Sequence, residues 1–181
     1  IKEYSKNEGN IIGICGGLQM LGTSLEDPFL KEGSKNYSEQ KIKGIGLLPI
    51  RTTFFKNKLT RQISSESLWP CQSKINGFEI HNGLTELDKT QDGINVKPIF
   101  NDLDLGWYKD DNEGGIIAGT YIHGIFENDK WRDEYINLIR KKRKMPALEK
   151  KTSSYKLKRE SIIENLANEF DKHLNLSLLL N

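Results

Sequence analysis

The sequence predicts an α/β fold, an open and mostly parallel β-sheet flanked by helices, with its functional loops at the carboxyl ends of the strands. Three observations support this prediction. A short β-branched strand runs directly into a glycine-rich turn and a helix, several further short extended segments follow, and two helical apolar stripes close the chain. A length of 181 residues suits one domain, 1–181.

The first strand is predicted at Ile11–Ile14, where three of the four residues are β-branched. It stops at Cys15-Gly16-Gly17, and the apolar residues Leu18 and Leu21 then indicate a helix that ends near Gly22. The order strand, sharp turn, helix is therefore predicted within a dozen residues.

The middle of the chain is predicted to be rich in β-structure. A polar loop is expected from Lys31 to Lys41, followed by an extended segment at 42–50 that Gly44, Gly46 and Pro49 interrupt. Further extended segments are predicted at 52–55, 74–81, 94–100, 105–109 and 115–122. Turn signals separate them at Asn76-Gly77, Asn82-Gly83, Asp92-Gly93 and Asp111-Asn112.

Two helices are predicted after this region, each with an apolar stripe at helical spacing. The first begins near Asn128 and carries Trp131, Tyr135, Leu138, Ile139 and Lys142 on one face. The second carries Ile162, Ile163, Leu166, Ala167, Phe170 and Leu174. Both stripes are expected to pack into a core, so we divide the chain into a catalytic α/β part, 1–130, and C-terminal helices, 131–181.

Composition excludes several classes of protein. With 36% hydrophobic and 29% charged residues, the chain has no apolar run near the ~20 residues that cross a bilayer. Two cysteines and no leader segment argue against a secreted disulfide framework, so we expect a cytoplasmic protein. The basic run Arg140–Lys144 is more typical of a solvated helix end than of a nucleic-acid site, and no His or Cys pair has metal-ligand spacing.

Cys15 is the first candidate for catalysis. Gly13-Ile14-Cys15-Gly16-Gly17 has the form G-x-C-x-G, the thiol counterpart of the G-x-S-x-G nucleophile elbow. Glycines are expected there because the flanking positions lie too close to the strand and helix backbones for a Cβ. The helix start favours a thiolate, and the N–H of Gly16 is available to an oxyanion. The alternative is a buried small residue beside an ordinary glycine-rich turn.

His123 is the second candidate, because a thiol nucleophile needs a base to accept its proton and return it to the leaving group. It ends the strand predicted at 115–122, and the carboxyl ends of neighbouring parallel strands lie side by side. The alternative is a structural histidine. His173 lies in the last apolar stripe and is expected to be solvated, whereas His81 stays a candidate.

Several motifs together resemble the class I glutamine amidotransferases of the cobyric acid synthase type. They are GICGGLQMLG at 13–22, GIGLLP at 44–49, GFEIHNGLT at 77–85, GTYIHG at 119–124, and the tail from YKLKRE at 155–160 to Leu166-Ala167. The resemblance covers nearly the whole chain. It implies the flavodoxin-like form of the α/β sheet, and the segment 79–85 favours this type over the cobyrinic acid diamide synthases.

The resemblance implies a reaction and a set of residues. Cys15 would attack the side-chain amide of glutamine, His123 would transfer protons, and a γ-glutamyl thioester would release ammonia and then be hydrolysed. Gly16, Gln19, Glu79 and His81 would contact the substrate. Ammonia would reach an ATP-dependent domain that amidates carboxylates of the corrin ring in cobalamin biosynthesis, so glutamine and a corrinoid are the expected partners, and nucleic acid and membrane are not.

The chain departs from the wider family in two ways. Many class I enzymes carry a glutamate two places after the histidine, but here that position is Ile125. No G-x-x-x-x-G-K-[ST] occurs, so no cofactor is expected in this domain, and ATP with Mg²⁺ is expected in a ligase half outside it. A start at Ile1, without Met, predicts a fragment whose first strands and second oxyanion donor lie upstream.

Three other functions stay open from the sequence. Two are glutaminase subunits that serve a different acceptor, either a cobyrinic acid a,c-diamide synthase or a complex that amidates the cell-wall precursor lipid II. The third is a catalytically inactive domain that binds glutamine or a corrinoid.

Overall fold

The computed structural model describes residues 1–30, 41–88, 95–110, 115–149 and 154–173. The chain divides into two compact units, Ile1–Ile125 and Phe126–Asn181. The helices and strands are α1 (Lys2–Lys6), β1 (Ile11–Ile14), α2 (Gly16–Leu21), β2 (Ser24–Glu26), β3 (Lys41–Lys43), β4 (Ile50–Ser67), β5 (Ser73–Leu87), β6 (Lys97–Pro98), β7 (Gly106–Asp110), β8 (Ile116–Thr120), α3 (Asp129–Lys142) and α4 (Tyr155–His173).

The strands of the first unit form two four-stranded sheets, in the orders β1-β8-β7-β6 and β3-β2-β4-β5. Only β1–β8 and β2–β4 pair in parallel among the described strands; the other neighbours are antiparallel. The α/β class is confirmed, but a mostly parallel sheet is not. The reason is that β4 and β5, like β7 and β8, follow one another without a crossover helix between them, and parallel pairing needs such a crossover.

β4 and β5 form one long hairpin instead of several short strands, so the turns predicted at Asn76-Gly77 and Asn82-Gly83 are wrong. Gly77 and Gly83 both lie within β5. Gly83 has φ +88° and lies opposite the break in register between Thr53 and Lys58. The polar loop at 31–40 and the turns at Asp92-Gly93 and Asp111-Asn112 lie outside the described residues.

The segment predicted as extended at 42–50 is a strand only up to Lys43 and again at Ile50, where β4 begins. The N–H groups of residues 44–48 instead donate hydrogen bonds of 2.7 to 3.0 Å to carbonyls of residues 20–23. Those carbonyls belong to the last turn of α2 and the residues after it, and they receive no hydrogen bond from within the helix. A Cβ at Gly44 would overlap the carbonyl oxygen of Gly22, so the glycine permits this close approach. Residues 44–48 therefore cap α2.

The core of the first unit lies between α2 and the strands that surround it. Its buried cluster contains Leu18, Leu21, Leu48, Ile50, Trp107, Ile117 and Tyr121. A Cβ at Gly119 would collide with the side chain of Leu18, so α2 lies directly over β8. This packing fixes the helix that follows Cys15 against the strand that precedes His123.

In the second unit, α3 agrees with its prediction and α4 does not. Trp131 is fully buried, and its ring stacks on that of Tyr135 with centroids 5.3 Å apart. The large apolar residues of the predicted stripe in α4 are exposed, from 52% at Phe170 to 58% at Ile162 and Ile163. Its expected core role is wrong within the described residues, because an apolar stripe is buried only where another surface covers it; Leu174 lies outside them.

Candidate active site

Cys15 lies on a sharp turn between β1 and α2, as the sequence predicts. Its φ and ψ are 54° and −114°, a conformation that side chains other than glycine adopt at a cost. Its N–H donates a 2.8 Å hydrogen bond to the carbonyl of Thr120, which continues the parallel pairing of β1 with β8 by one residue. The turn therefore begins while the backbone is still held by the sheet.

The glycines around Cys15 differ in their roles. A Cβ at Gly13 would lie 2.5 Å from the carbonyl carbon of Gly17, so the strand and the helix meet too closely there for any side chain. A Cβ at Gly16 or Gly17 would meet no described atom within 4 Å. The steric expectation is confirmed at Gly13 and wrong at Gly17. The space beside the first turn of α2 is open.

The thiol of Cys15 is half-buried and points toward β5. It donates a hydrogen bond of 3.3 Å to the carbonyl oxygen of Ile80. A carbonyl has no proton to donate, so this contact is a hydrogen bond only while the sulfur carries its proton.

His123 follows the end of β8 and is held by the same strand, β5. Its N–H donates to the carbonyl of Phe78 at 2.8 Å, and the N–H of Phe78 donates back at 3.3 Å. The imidazole lies face to face with the Phe78 ring, with centroids 5.0 Å apart and planes 8° apart. Its Nε2 is buried and has no hydrogen-bond partner among the described residues.

The side chain of Thr120 explains why the chain turns toward β5 after β8. Its hydroxyl donates to the carbonyl of Leu105 at 2.9 Å and accepts from the N–H of Ile122 at 3.0 Å. Ile122 is fully buried. The structure thus brings Cys15 and His123 against positions of β5 that are two residues apart.

Glu79 and His81 form a buried pair on the opposite face of β5. Glu79 is 2% exposed and accepts from Nε2 of His81 and from Nε of Arg61, each at 2.6 Å. The hydrogen bond to Glu79 raises the pKa of the Arg61 guanidinium above its ordinary value. The His81 ring stacks on Tyr121 with centroids 3.6 Å apart.

Gln19 is buried within the same network. Its amide nitrogen donates to the carbonyl of Asn82 and to the hydroxyl of Tyr121, both at 3.1 Å. The Tyr121 hydroxyl also lies 2.5 Å from that of Thr85, which in turn lies 2.6 Å from the hydroxyl of Thr52. Burial raises the pKa of Tyr121, and the hydrogen bonds from Thr85 and Gln19 partly oppose the shift.

The predicted site residues therefore separate into two groups. Cys15 and His123 make hydrogen bonds to β5, and Gly16 lies beside the open space at the start of α2. Gln19, Glu79 and His81 are buried and hydrogen-bonded to other residues of the chain. Sequence reasoning missed Phe78 and Tyr121. Because residues two apart in a strand share a face, strand alternation is enough to predict that Glu79 and His81 lie together. No local pattern predicts the contact of His81 with Tyr121.

The described residues contain neither a membrane-spanning helix nor a cluster of metal-ligating side chains. No helix there is long and apolar enough to span a membrane. No group of three or more His, Cys, Asp or Glu side chains in the same part of the chain has the arrangement of a metal site.

Cys15 thus lies on a strained strand-to-helix turn, and His123 follows the end of the neighbouring parallel strand, in an α/β fold. The chain belongs to the CobB/CobQ-like glutamine amidotransferase domain family, whose model matches residues 1–131. That family name implies glutamine as the substrate.

Three curated relatives that match over the whole chain carry one name. The chain is 80% identical over 181 residues to a cobyric acid synthase of Prochlorococcus marinus strain MIT 9312. It is 70% identical over 181 residues to that of strain CCMP1986 and 40% identical over 185 residues to that of Synechococcus sp. strain CC9311. In each case all of this chain is covered, but it spans only 36% of the relative's length.

Proposed function

We propose that this chain is the glutaminase part of a cobyric acid synthase, which hydrolyses glutamine and supplies ammonia for the amidation of corrin-ring carboxylates. The observation that carries the proposal is the position of Cys15. It has the backbone strain of a nucleophile elbow, and its sulfur adjoins the same stretch of β5 that holds His123. Membership of a glutamine amidotransferase family supplies the substrate.

The first half of the reaction forms a thioester. His123 accepts the thiol proton of Cys15 as the sulfur attacks the amide carbon of the glutamine side chain. The carbonyl oxygen becomes an oxyanion, and the N–H of Gly16, in the first turn of α2, has no acceptor within the helix and is suited to bind it. Protonated His123 then gives its proton to the amide nitrogen, the C–N bond breaks, and ammonia leaves.

The second half regenerates the enzyme. His123 takes a proton from water, whose oxygen attacks the thioester carbon. When the C–S bond breaks, glutamate is released and the proton returns to sulfur. The hydrogen bond from Cys15 to the Ile80 carbonyl is lost and restored in each cycle, because the attacking sulfur has no proton to donate.

The ATP-dependent half of the reaction is assigned to residues that this chain does not contain. The chain spans 36% of the relatives' length, which leaves room for a separate domain with ATP, Mg²⁺ and the corrinoid. We propose that no resident cofactor is needed for glutamine hydrolysis, because thiol and imidazole suffice for both proton transfers. A biosynthetic role of this kind suits the cytoplasm, without nucleic acid or membrane as a partner.

The name of the relatives supports one acceptor over the others. Identities of 80% and 70% to cobyric acid synthases favour a corrinoid over the cell-wall precursor and favour this enzyme over a diamide synthase. A purely binding domain has no chemical need for a strained cysteine that adjoins the same strand as a histidine, so the enzyme is favoured over an inactive domain.

The test measures ammonia and glutamate formed from glutamine by the natural full-length protein. Wild type is expected to release both in equal amounts, Cys15→Ala neither, and the control Cys71→Ala both. Addition of ATP, Mg²⁺ and a corrinoid with free carboxylates is expected to give an amidated corrinoid, whereas a lipid-linked cell-wall precursor is expected to stay unchanged. Hydrolysis by Cys15→Ala, or amidation of the cell-wall precursor, contradicts the proposal.

A further inference from the structure

No acid stands two positions after His123, where many class I enzymes carry a glutamate. Position 125, two residues on, is an isoleucine with no exposed surface. A general base nevertheless has to be held in one orientation, because a ring that rotates freely accepts the proton in only a fraction of its orientations. Some other group must therefore hold the imidazole.

We propose that Phe78 is the positioning residue of His123, and that its ring orients the imidazole by stacking. The inference rests on the proposed glutaminase function. The planes of the two rings are nearly parallel, 8° apart, with centroids 5.0 Å apart. Two backbone hydrogen bonds between the same residues, of 2.8 and 3.3 Å, hold the stack in register.

Stacking leaves the ring nitrogens free for chemistry. An orienting carboxylate would occupy one nitrogen, whereas the Phe78 ring contacts the face of the imidazole. This agrees with the buried Nε2 of His123, which has no partner in the described part of the chain. A thiol proton or a leaving amide nitrogen is the kind of group that such a nitrogen serves.

Gly77 makes the close contact possible. A Cβ there would overlap the carbonyl oxygen of His123 and lie 2.5 Å from Cγ2 of Ile122. Phe78 itself is 43% exposed, so it contributes less to a core than a buried phenylalanine does. Its position is better explained by His123 than by general packing.

Phe55 is a matched control. It is also a phenylalanine with 43% of its surface exposed, and it lies in β4, the strand paired with β5. Comparison of Phe78→Ala with Phe55→Ala in the natural full-length protein separates loss of the stack from loss of a half-exposed aromatic ring. Phe78→Leu keeps apolar bulk without a ring face, and Phe78→Tyr restores the ring.

Steady-state hydrolysis of glutamine is the first readout. Phe78→Ala and Phe78→Leu are expected to lower kcat about tenfold or more, with KM changed less than about threefold, because misplacement of a reacting group acts on the chemical step. Phe78→Tyr is expected to return kcat to within about threefold of wild type. Phe55→Ala is expected to leave kcat unchanged.

Glutamate γ-hydroxamate gives a second readout. Its leaving group, hydroxylamine, is a weaker base than ammonia and needs less help from a general acid, so Phe78→Ala is expected to lose less kcat on it than on glutamine. The proposal is overturned by unchanged kcat in folded Phe78→Leu, by a loss confined to KM, by an equal loss in Phe55→Ala, or by no rescue in Phe78→Tyr. A wild type that releases no ammonia rejects the proposed function itself.

Discussion

The sulfur of Cys15 donates a hydrogen bond to the carbonyl of Ile80, a residue 65 positions away in the chain. His123 adjoins the same short stretch, since it pairs with Phe78 on that strand. One strand, β5, therefore holds both groups of the candidate active site. Changes that move β5 are expected to affect activity more than changes of equal size elsewhere.

Cys15→Ala is expected to abolish glutamine hydrolysis and to keep the fold, since it removes one half-buried sulfur. Cys15→Gly is expected to be about 1 kcal/mol more stable than Cys15→Ala, because glycine adopts a φ of 54° without strain. Thermal unfolding measures the difference, and ammonia release measures the activity. A glycine variant less stable than the alanine variant contradicts the assignment of strain to this turn.

His123→Asn is expected to lower kcat by about 10²–10⁴-fold, the usual effect of losing a general acid–base group. Glu127→Gln is its control and is expected to have a small effect, because that carboxylate is exposed and pairs with Arg159 at 2.8 Å. An equal fall in kcat for glutamine in the two variants contradicts a cysteine–histidine pair that works without the carboxylate of Glu127.

Gly77→Ala is expected to destabilise the fold by about 1–3 kcal/mol, since its methyl group would overlap the backbone of His123. Hydrolysis is expected to fall as well, because β5 has to move away from the histidine. Gly17→Ala is the control. Its methyl group meets no described atom within 4 Å and lies in α2, so denaturant unfolding is expected to show equal or greater stability.

Glu79→Ala separates a structural role from contact with substrate. The change leaves Nε2 of buried His81 without its acceptor, and we expect a loss of about 1–3 kcal/mol in the free energy of unfolding. Urea titration measures that loss, and steady-state kinetics measures KM. A higher KM with unchanged stability supports the substrate contact that the sequence resemblance implies.

Because Tyr121 is buried, ionisation of its phenol is expected to destabilise the fold at high pH. Burial raises its pKa in the folded state, so the folded chain holds the phenolic proton more tightly than the unfolded chain does. The resulting stabilisation is complete below pH about 10 and disappears as the pH rises from there through the folded-state value. Wild type is therefore expected to lose unfolding free energy more steeply than Tyr121→Phe above pH about 10 in urea titrations. Parallel curves contradict the prediction.

Much of the candidate site is predictable because its signals are local. The turn at Cys15 is predicted by a strand, two glycines and a helix that together span eleven residues. Helix α3 is predicted by the spacing of its apolar residues over fourteen residues. The same reasoning fails for α4, since helical spacing predicts which face is apolar but not whether another surface covers it.

What the sequence by itself determined is therefore the strand-to-helix turn at Cys15, a histidine that follows a strand and the α/β class, all set by short-range sterics and residue periodicity. Only the tertiary structure decided that β5 runs past both groups, that Phe78 stacks on His123, and that Gln19 reaches Tyr121 across 102 positions. Contacts over such separations depend on strand pairing and close packing of the whole unit, which no local pattern specifies.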